Sequence, residues 1–130
     1  SVFPILIQAS EVHIGLRGTV HIAPGYQQEA ITASIFSQLE LRINTLGLGD
    51  SVRYAEVLRD IMQIPGVTDV QNLHLRKCPS PFNTVKFGVK RVFRTEDVEM
   101  NVGENVPVEV DEVAVFKVNS HLIDLEVTDR

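Results

Sequence analysis

Two different hydrophobic periods follow each other in the first half of the chain, and their order restricts the fold more than any other feature. From Val12 to Ile22, apolar residues occupy alternate positions, which is the period of a strand with one buried face. From Gln27 to Thr45, they recur every three or four positions, as on one face of a helix. This stripe consists of Ile31, Ile35, Leu39, Ile43 and Leu46, widened by Phe36. The sequence therefore predicts a strand that leads into a long helix.

Glycine and proline mark the ends of these elements. Proline cannot donate to a strand ladder and glycine frees the turn, so Ala23-Pro24-Gly25 ends the first strand. A second, shorter helix is predicted over Tyr54 to Gln63, where Pro65-Gly66 ends it. Gly18 lies in the buried series of the first strand but has no side chain, which predicts a bulge or a close backbone approach.

The second half of the chain has the pattern of strands and turns. A strand is predicted over Val67 to Arg76, and the apolar residues of Val85–Val89 then alternate with Lys86 and Gly88. Further short strands are predicted at Val106–Val110, Val113–Val118 and Leu122–Val127. The order strand, helix, helix, strand and then several short strands predicts an α+β fold. Its two helices are expected to pack on one face of a mainly antiparallel sheet.

The length of 130 residues suits one domain, because a chain of this size buries roughly two-thirds of the surface that it exposes when unfolded. Residues 1–11 are expected to form an arm or a strand, residues 12–77 the β-α-α-β unit, and residues 78–130 a β-rich part. The chain begins without methionine, and we expect it to be a fragment of a larger protein.

Charge, cysteine content and hydropathy limit the classes of function that the chain can have. The formal net charge of -5 argues against binding that neutralises phosphates with a concentrated basic face. The single cysteine, Cys78, excludes an internal disulfide framework and suits a reducing compartment. No apolar run approaches the roughly 20 residues that a membrane-spanning helix needs, so no membrane span is expected.

No group of residues carries a recognised catalytic, cofactor or metal pattern. The glycines of Leu46–Asp50 follow a helix, whereas a phosphate-binding loop leaves a strand and opens a helix. The four histidines lack the spacing of a zinc site, and the acidic residues fit neither a calcium loop nor a catalytic pair. Cys78 has no neighbouring base to activate it. We therefore expect no catalytic, cofactor-binding or metal-binding residues and no small-molecule substrate.

Strand edges and one basic segment are the candidates for contact with partners. The segment Lys86–Arg94 combines cations with aromatic rings, which could bind single-stranded nucleic acid. Because the chain is acidic, a contact with a neighbouring protein is the favoured hypothesis. Exposed strands can also pair with another chain, and Val85–Phe93 or Val106–Val110 is predicted to form such an edge. The predicted partner-contact residues are Lys86, Phe87, Lys90, Arg91, Phe93, Arg94, Val106, Val108 and Val110.

The ordered combination of these elements resembles a known family. The stretch Val20-His21-Ile22-Ala23-Pro24-Gly25-Tyr26 precedes a long helix. It is followed by Leu48–Val70, which contains Gly49-Asp50-Ser51-Val52, a short helix and Pro65-Gly66-Val67-Thr68-Asp69-Val70. This pattern is similar to the carboxy-terminal region of the baseplate J-like family, wedge proteins of contractile phage tails and related injection machines. The likeness covers residues 12–75 well and residues 105–116 more faintly, and it does not extend to residues 78–103.

The resemblance implies a structural role and no catalytic residues. It implies that the chain assembles with copies of itself and with other baseplate wedge proteins. It also implies that the chain is made in a bacterial host cytoplasm and built into a virion or prophage-derived tail baseplate. The alternative from another class is a cytosolic nucleic-acid or regulatory binding module that uses Lys86–Arg94, and an enzyme that uses Cys78 or His74 ranks third.

Overall fold

The computed structural model describes residues 10–79, 85–86, 89–90 and 97–129. Within them the two predicted helices are confirmed, as α1 (Gln28–Asn44) and α2 (Tyr54–Met62). The strands are β1 (Ser10–Ile22), β2 (Val67–Pro79), β3 (Val85–Lys86), β4 (Val89–Lys90), β5 (Val98–Glu99), β6 (Glu112–Phe116) and β7 (Ile123–Thr128). The predicted α+β class and the order strand, helix, helix, strand are therefore confirmed.

The main sheet has five strands, and β1 lies at its centre. On one side β1 pairs antiparallel with β2, which in turn pairs antiparallel with β5. On the other side β6 pairs with the first half of β1 and β7 with the second half, and both pairings are parallel. The sheet is thus mixed, and the prediction of a mainly antiparallel sheet was wrong. The chain returns to the Ser10 end of β1 before β6 begins, so β6 and β7 run in the same direction as β1.

The helical stripe and the strand alternation meet in one core. Ile31, Ile35, Leu39 and Ile43 of α1 are buried, and so are the even-numbered apolar residues of β1 from Val12 to Ile22. α1 packs against β6 and β7, while α2 packs against β2. The shorter helix contributes Val57 and Ile61 to the same core. Both helices therefore cover one face of the sheet, as predicted.

Gly18 marks the irregularity that its position predicted. Arg17 pairs with His74 and Thr19 with Gln71, so Gly18 faces two residues of β2. One of these, Asn72, has a φ of 54°. Two residues opposite one is the count that defines a β-bulge. A Cβ atom at Gly18 would lie 3.1 Å from the Leu73 Cα atom, a tight contact that favours a residue without a side chain.

Two strand predictions in the second half need correction. Val106–Val110 is not a strand: Val106 forms a single isolated bridge with Val52, and the chain turns at Val110 and Asp111. Its alternation arises because Val106 and Val108 face the core from a loop. The alternation from Val85 to Lys90 predicted one strand, but the structure has two short strands there, β3 and β4, which pair antiparallel with each other.

Candidate assembly surface

The structure distributes the predicted partner-contact residues over different environments. Lys86 lies in β3 and Lys90 in β4, whereas Phe87, Arg91, Phe93 and Arg94 lie outside the described residues. Val106 is fully buried, so its side chain cannot contact a partner in this fold. Val108 packs against the core, and only Val110 among the three valines is strongly exposed, at 84%. The predicted edge at residues 106–110 is therefore not present as a surface.

The outer edge of β6 is covered by the chain itself. The Asn44 side chain, at the end of α1, donates to the Phe116 carbonyl at 3.1 Å and accepts from the Phe116 N–H at 2.8 Å. At the start of the strand, the Gly49 N–H donates to the Glu112 carbonyl at 2.8 Å. Backbone groups at both ends of β6 thus have partners in the α1–α2 region, which leaves this strand poorly suited to pairing with another chain.

The neighbouring strand β7 is one edge that the described residues leave open; β5 and most of β2 form another on the opposite side of the sheet. β7 pairs with β1 through residues 123–128 and with no other described strand. Beside it runs a groove of about 640 Å³ between β7 and the outward side of α1, called here the α1–β7 groove. Its apolar lining residues are Ala33, Phe36, Val118, Leu125 and Val127. An unpaired strand edge next to an apolar groove is the usual setting for the addition of a strand from a partner.

Acidic residues surround this groove. Glu29 and Glu40 lie on the α1 side of its lining, and none of the lining residues is basic. On β7, the exposed Asp124 and Glu126 alternate with Leu125 and Val127, so they project from the opposite face of the sheet. The edge therefore has an apolar side towards the helix and an anionic side towards the open face.

The open face of the sheet carries an ion-pair cluster centred on Glu99. Its carboxylate accepts from Arg17 at 2.8 and 2.9 Å and from Arg76 at 3.1 Å. His74 lies 3.8 Å away. The hydrogen bond from Arg17 is the main cause that lowers the pKa of Glu99 to about 2, with further lowering from Arg76 and His74 and partial opposition from burial. The cluster joins β1, β2 and β5. Arg17 and Arg76 are bonded to Glu99 of the same chain.

A second site lies where sequence reasoning expected only scattered side chains. His13 and Cys78 are direct partners in the β1–β2 pairing, and His121 lines the same pocket of about 280 Å³. The His121 ring lies 3.0 Å from an Asp97 carboxylate oxygen. Burial raises the pKa of the Cys78 thiol, and a hydrogen bond with Asp97 and its charge raise it further. A thiol held in its protonated form is a poor nucleophile, so this geometry works against thiol chemistry.

His21 also departs from its predicted setting. It lies between the buried Val20 and Ile22, so the alternation of the first strand predicts that its ring faces outward into solvent. Its Nδ1 and Nε2 atoms are instead buried, and neither has a hydrogen-bond partner in the structure.

The described residues contain neither a candidate metal cluster nor a candidate membrane-spanning helix. No group of three or more histidine, cysteine, aspartate or glutamate residues in the described ranges is arranged to hold a metal ion. No helix there combines the length and the apolar character needed to cross a membrane.

Comparisons with known proteins add no identity: no family model and no curated protein matches the chain. The resemblance to the baseplate J-like family therefore rests on the sequence pattern alone. The groove was not predicted from the sequence because most of its α1 residues are exposed ones beside the apolar stripe, to which only Phe36 belongs. Only the parallel placement of β7 brings them next to a strand edge.

Proposed function

We propose that this chain is a structural component of a contractile phage or prophage tail baseplate. In this role it binds neighbouring wedge proteins and copies of itself, and it does not catalyse a reaction. Its place would be the virion, after assembly in the bacterial host cytoplasm. The observation that carries the proposal is the α1–β7 groove beside an open strand edge, in a chain whose β-α-α-β order resembles that of baseplate wedge proteins.

The chemistry of the remaining surface supports binding over catalysis. The Cys78 thiol has a raised pKa, and the nearby His121 ring is engaged by Asp97. The Glu99 carboxylate is held by two guanidinium groups with its pKa far below the range useful for general acid–base catalysis near neutral pH. The Cys78 thiol, the His121 ring and the Glu99 carboxylate are thus engaged in contacts within the chain, whereas the β7 edge and the α1–β7 groove have a shape that fits a protein partner.

The test is to look for the chain in assembled particles. Tail particles purified from a host that expresses the intact gene should contain this polypeptide in constant ratio to tube and sheath proteins, as measured by quantitative mass spectrometry. Chemical cross-linking of those particles should join the surface of α1 or β7 to another baseplate protein. Particles that assemble and inject normally after deletion of the gene, or purified tails that lack the polypeptide, would contradict the proposal.

Variants can show whether the groove is the assembly surface. Ala33 is exposed and lines the groove, so Ala33→Trp should fill it and reduce the yield of complete particles. Ala30→Trp makes the same substitution at an exposed position of α1 that does not line the groove, and it should leave the yield unchanged. Equal yields from the two variants would assign assembly to another surface.

A further inference from the structure

We propose that the α1–β7 groove binds an extended segment of another protein in which apolar and basic side chains alternate. This inference specifies the partner of the proposed function. It rests on that proposal in one respect, that the chain acts by binding another protein. It does not depend on the type of machine into which the chain is built.

The helix side of the site requires apolar side chains. A strand added beside β7 would continue the pleat of the sheet, so every second side chain would point to the side covered by α1. There it would contact Leu125 and Val127 of β7 and Phe36 of α1. These three side chains are only partly buried, so an apolar partner would remove further apolar surface from water.

The open side of the site requires basic side chains. The intervening residues of an added strand would lie next to Asp124 and Glu126, which are both exposed. Opposite charges on neighbouring strands stabilise a pair, whereas like charges destabilise it. Arg17 of β1 is the register partner of Asp124, and its guanidinium is held by two hydrogen bonds to Glu99. Glu29 and Glu40 lie on the helix side of the groove, so they add negative charge to the site as a whole but not to its open face.

The same charges argue against a second copy of β7 as the occupant. If two β7 strands paired antiparallel about Leu125, Asp124 of each copy would face Glu126 of the other. Two such contacts between carboxylates would oppose the pairing. The acidic side chains on this edge thus repel acidic strands and attract basic ones. Both effects contribute to the choice of partner.

The inference can be tested with synthetic peptides and the purified chain. The probe is a peptide in which valine and lysine alternate over about eight residues, a common strand length. The comparison peptides replace every lysine with glutamate or place all valines before all lysines. The alternating basic peptide should bind, with amide chemical-shift changes concentrated in β7 and α1. The other two should bind at least about tenfold more weakly, as expected from the loss of several cross-strand pairs.

Protein variants locate the binding and control for net charge. Glu126→Lys should weaken binding of the alternating peptide by roughly fivefold or more. Glu109→Lys makes the same charge change at an exposed position outside the groove and should leave binding unchanged. Ala33→Trp should also weaken binding, whereas Ala30→Trp should not. Thermal unfolding of each variant shows whether the domain remains folded. If one variant is unfolded, the other pair of variant and control still tests where the peptide binds.

Several results would overturn the inference. Equal affinity for the three peptides, or equal effects of Glu126→Lys and Glu109→Lys, would show that neither pattern nor position matters. Self-association of the chain without peptide, measured by sedimentation and abolished by Ala33→Trp, would assign the groove to a second copy. Binding of the alternating peptide to a chain that is absent from tail particles would refute the baseplate role but not this inference.

Discussion

Asp60 of α2 and Arg42 of α1 form a two-point ion pair that joins the two helices. The Arg42 Nε donates to Asp60 Oδ2 at 2.6 Å and the Nη2 donates to Oδ1 at 2.9 Å. Asp60 is only 2% exposed, whereas the Arg42 side chain keeps 31% of its surface. A buried carboxylate needs such a partner, because an unpaired charge in the interior is costly. The hydrogen bonds with Asp60 are the main cause that raises the pKa of Arg42.

The first prediction concerns this pair. Arg42→Met removes the partner of a buried carboxylate and should lower the free energy of unfolding by about 2 kcal/mol, below the full cost for a completely buried pair because the arginine is partly hydrated. Urea denaturation at neutral pH measures the change. Glu56→Gln alters a longer contact, 3.8 Å from Arg42, and should cost less than about 1 kcal/mol. Similar losses for the two variants would show that the Asp60 contact has no special weight.

Asn44 gives a prediction about the covered edge of β6. Asn44→Ala removes both contacts with the Phe116 backbone and should cost about 1–2 kcal/mol, since two backbone groups lose their partners. Hydrogen exchange at the Phe116 amide should become faster. Asn44→Asp retains an oxygen that can accept from this N–H but sets a carboxylate oxygen against the Phe116 carbonyl, so its protection should lie between those of the unsubstituted protein and Asn44→Ala. Unchanged exchange in Asn44→Ala would show that the amide is protected by other groups.

The parts of the fold that were predicted from sequence are those in which local period determines burial. Ile31, Ile35 and Leu39 recur every three or four positions, and a helix places residues with this spacing on one face. That face must pack against the rest of the protein to be buried. The alternation of β1 works in the same way. The period contains no information about pairing partners, so the parallel placement of β6 and β7 could not be obtained from it.

Alternation was misleading at Val106 and Val108. Both face the core from a loop, and two alternating valines cannot distinguish this from a strand. The candidate surface depends on pairing between distant parts of the chain. Leu125 lies beside Gly18 of β1 and lines the groove together with residues of α1. Nothing in the sequence of either segment indicates that the two are neighbours. The meeting of His13 with Cys78 was missed for the same reason.

Gly15 and Leu122 supply a prediction about packing on the face opposite the helices. A Cβ atom at Gly15 would lie 2.3 Å from the Leu122 Cβ, and Leu122 is buried. Gly15→Ala should therefore cost about 3 kcal/mol, because residues between β6 and β7 must shift. Gly25→Ala is the control: its φ of 95° disfavours alanine, but no atom lies within 4 Å, so it should cost about 1–2 kcal/mol. A smaller loss at Gly15 than at Gly25, measured by thermal unfolding, would contradict the packing.

The Glu99 cluster predicts how stability depends on pH. The folded-state pKa of Glu99 is lowered from 4.5 to about 2, so the unfolded chain binds a proton at this group before the folded chain does. The stabilisation is fully present above pH 4.5 and is lost as the pH falls towards 2. Glu99→Gln should therefore reduce the slope of stability against pH in this window, measured by urea denaturation. Arg17→Met should reduce the slope too, and an unchanged slope in both variants would contradict the assignment.

The last prediction concerns Cys78, because the rate at which its thiol is alkylated distinguishes a structural thiol from a reactive one. Burial raises the pKa of the thiol above its ordinary value of 9.0, and Asp97 raises it further. Less thiolate is then present at any given pH, so iodoacetamide should modify folded Cys78 more slowly at pH 8 than it modifies the urea-unfolded chain. Asp97→Asn removes the negative charge and should accelerate the reaction in the folded protein. Mass spectrometry follows the modification. A folded thiol that reacts faster than the unfolded one would reverse this interpretation and favour a nucleophilic role for the pocket formed with His13 and His121.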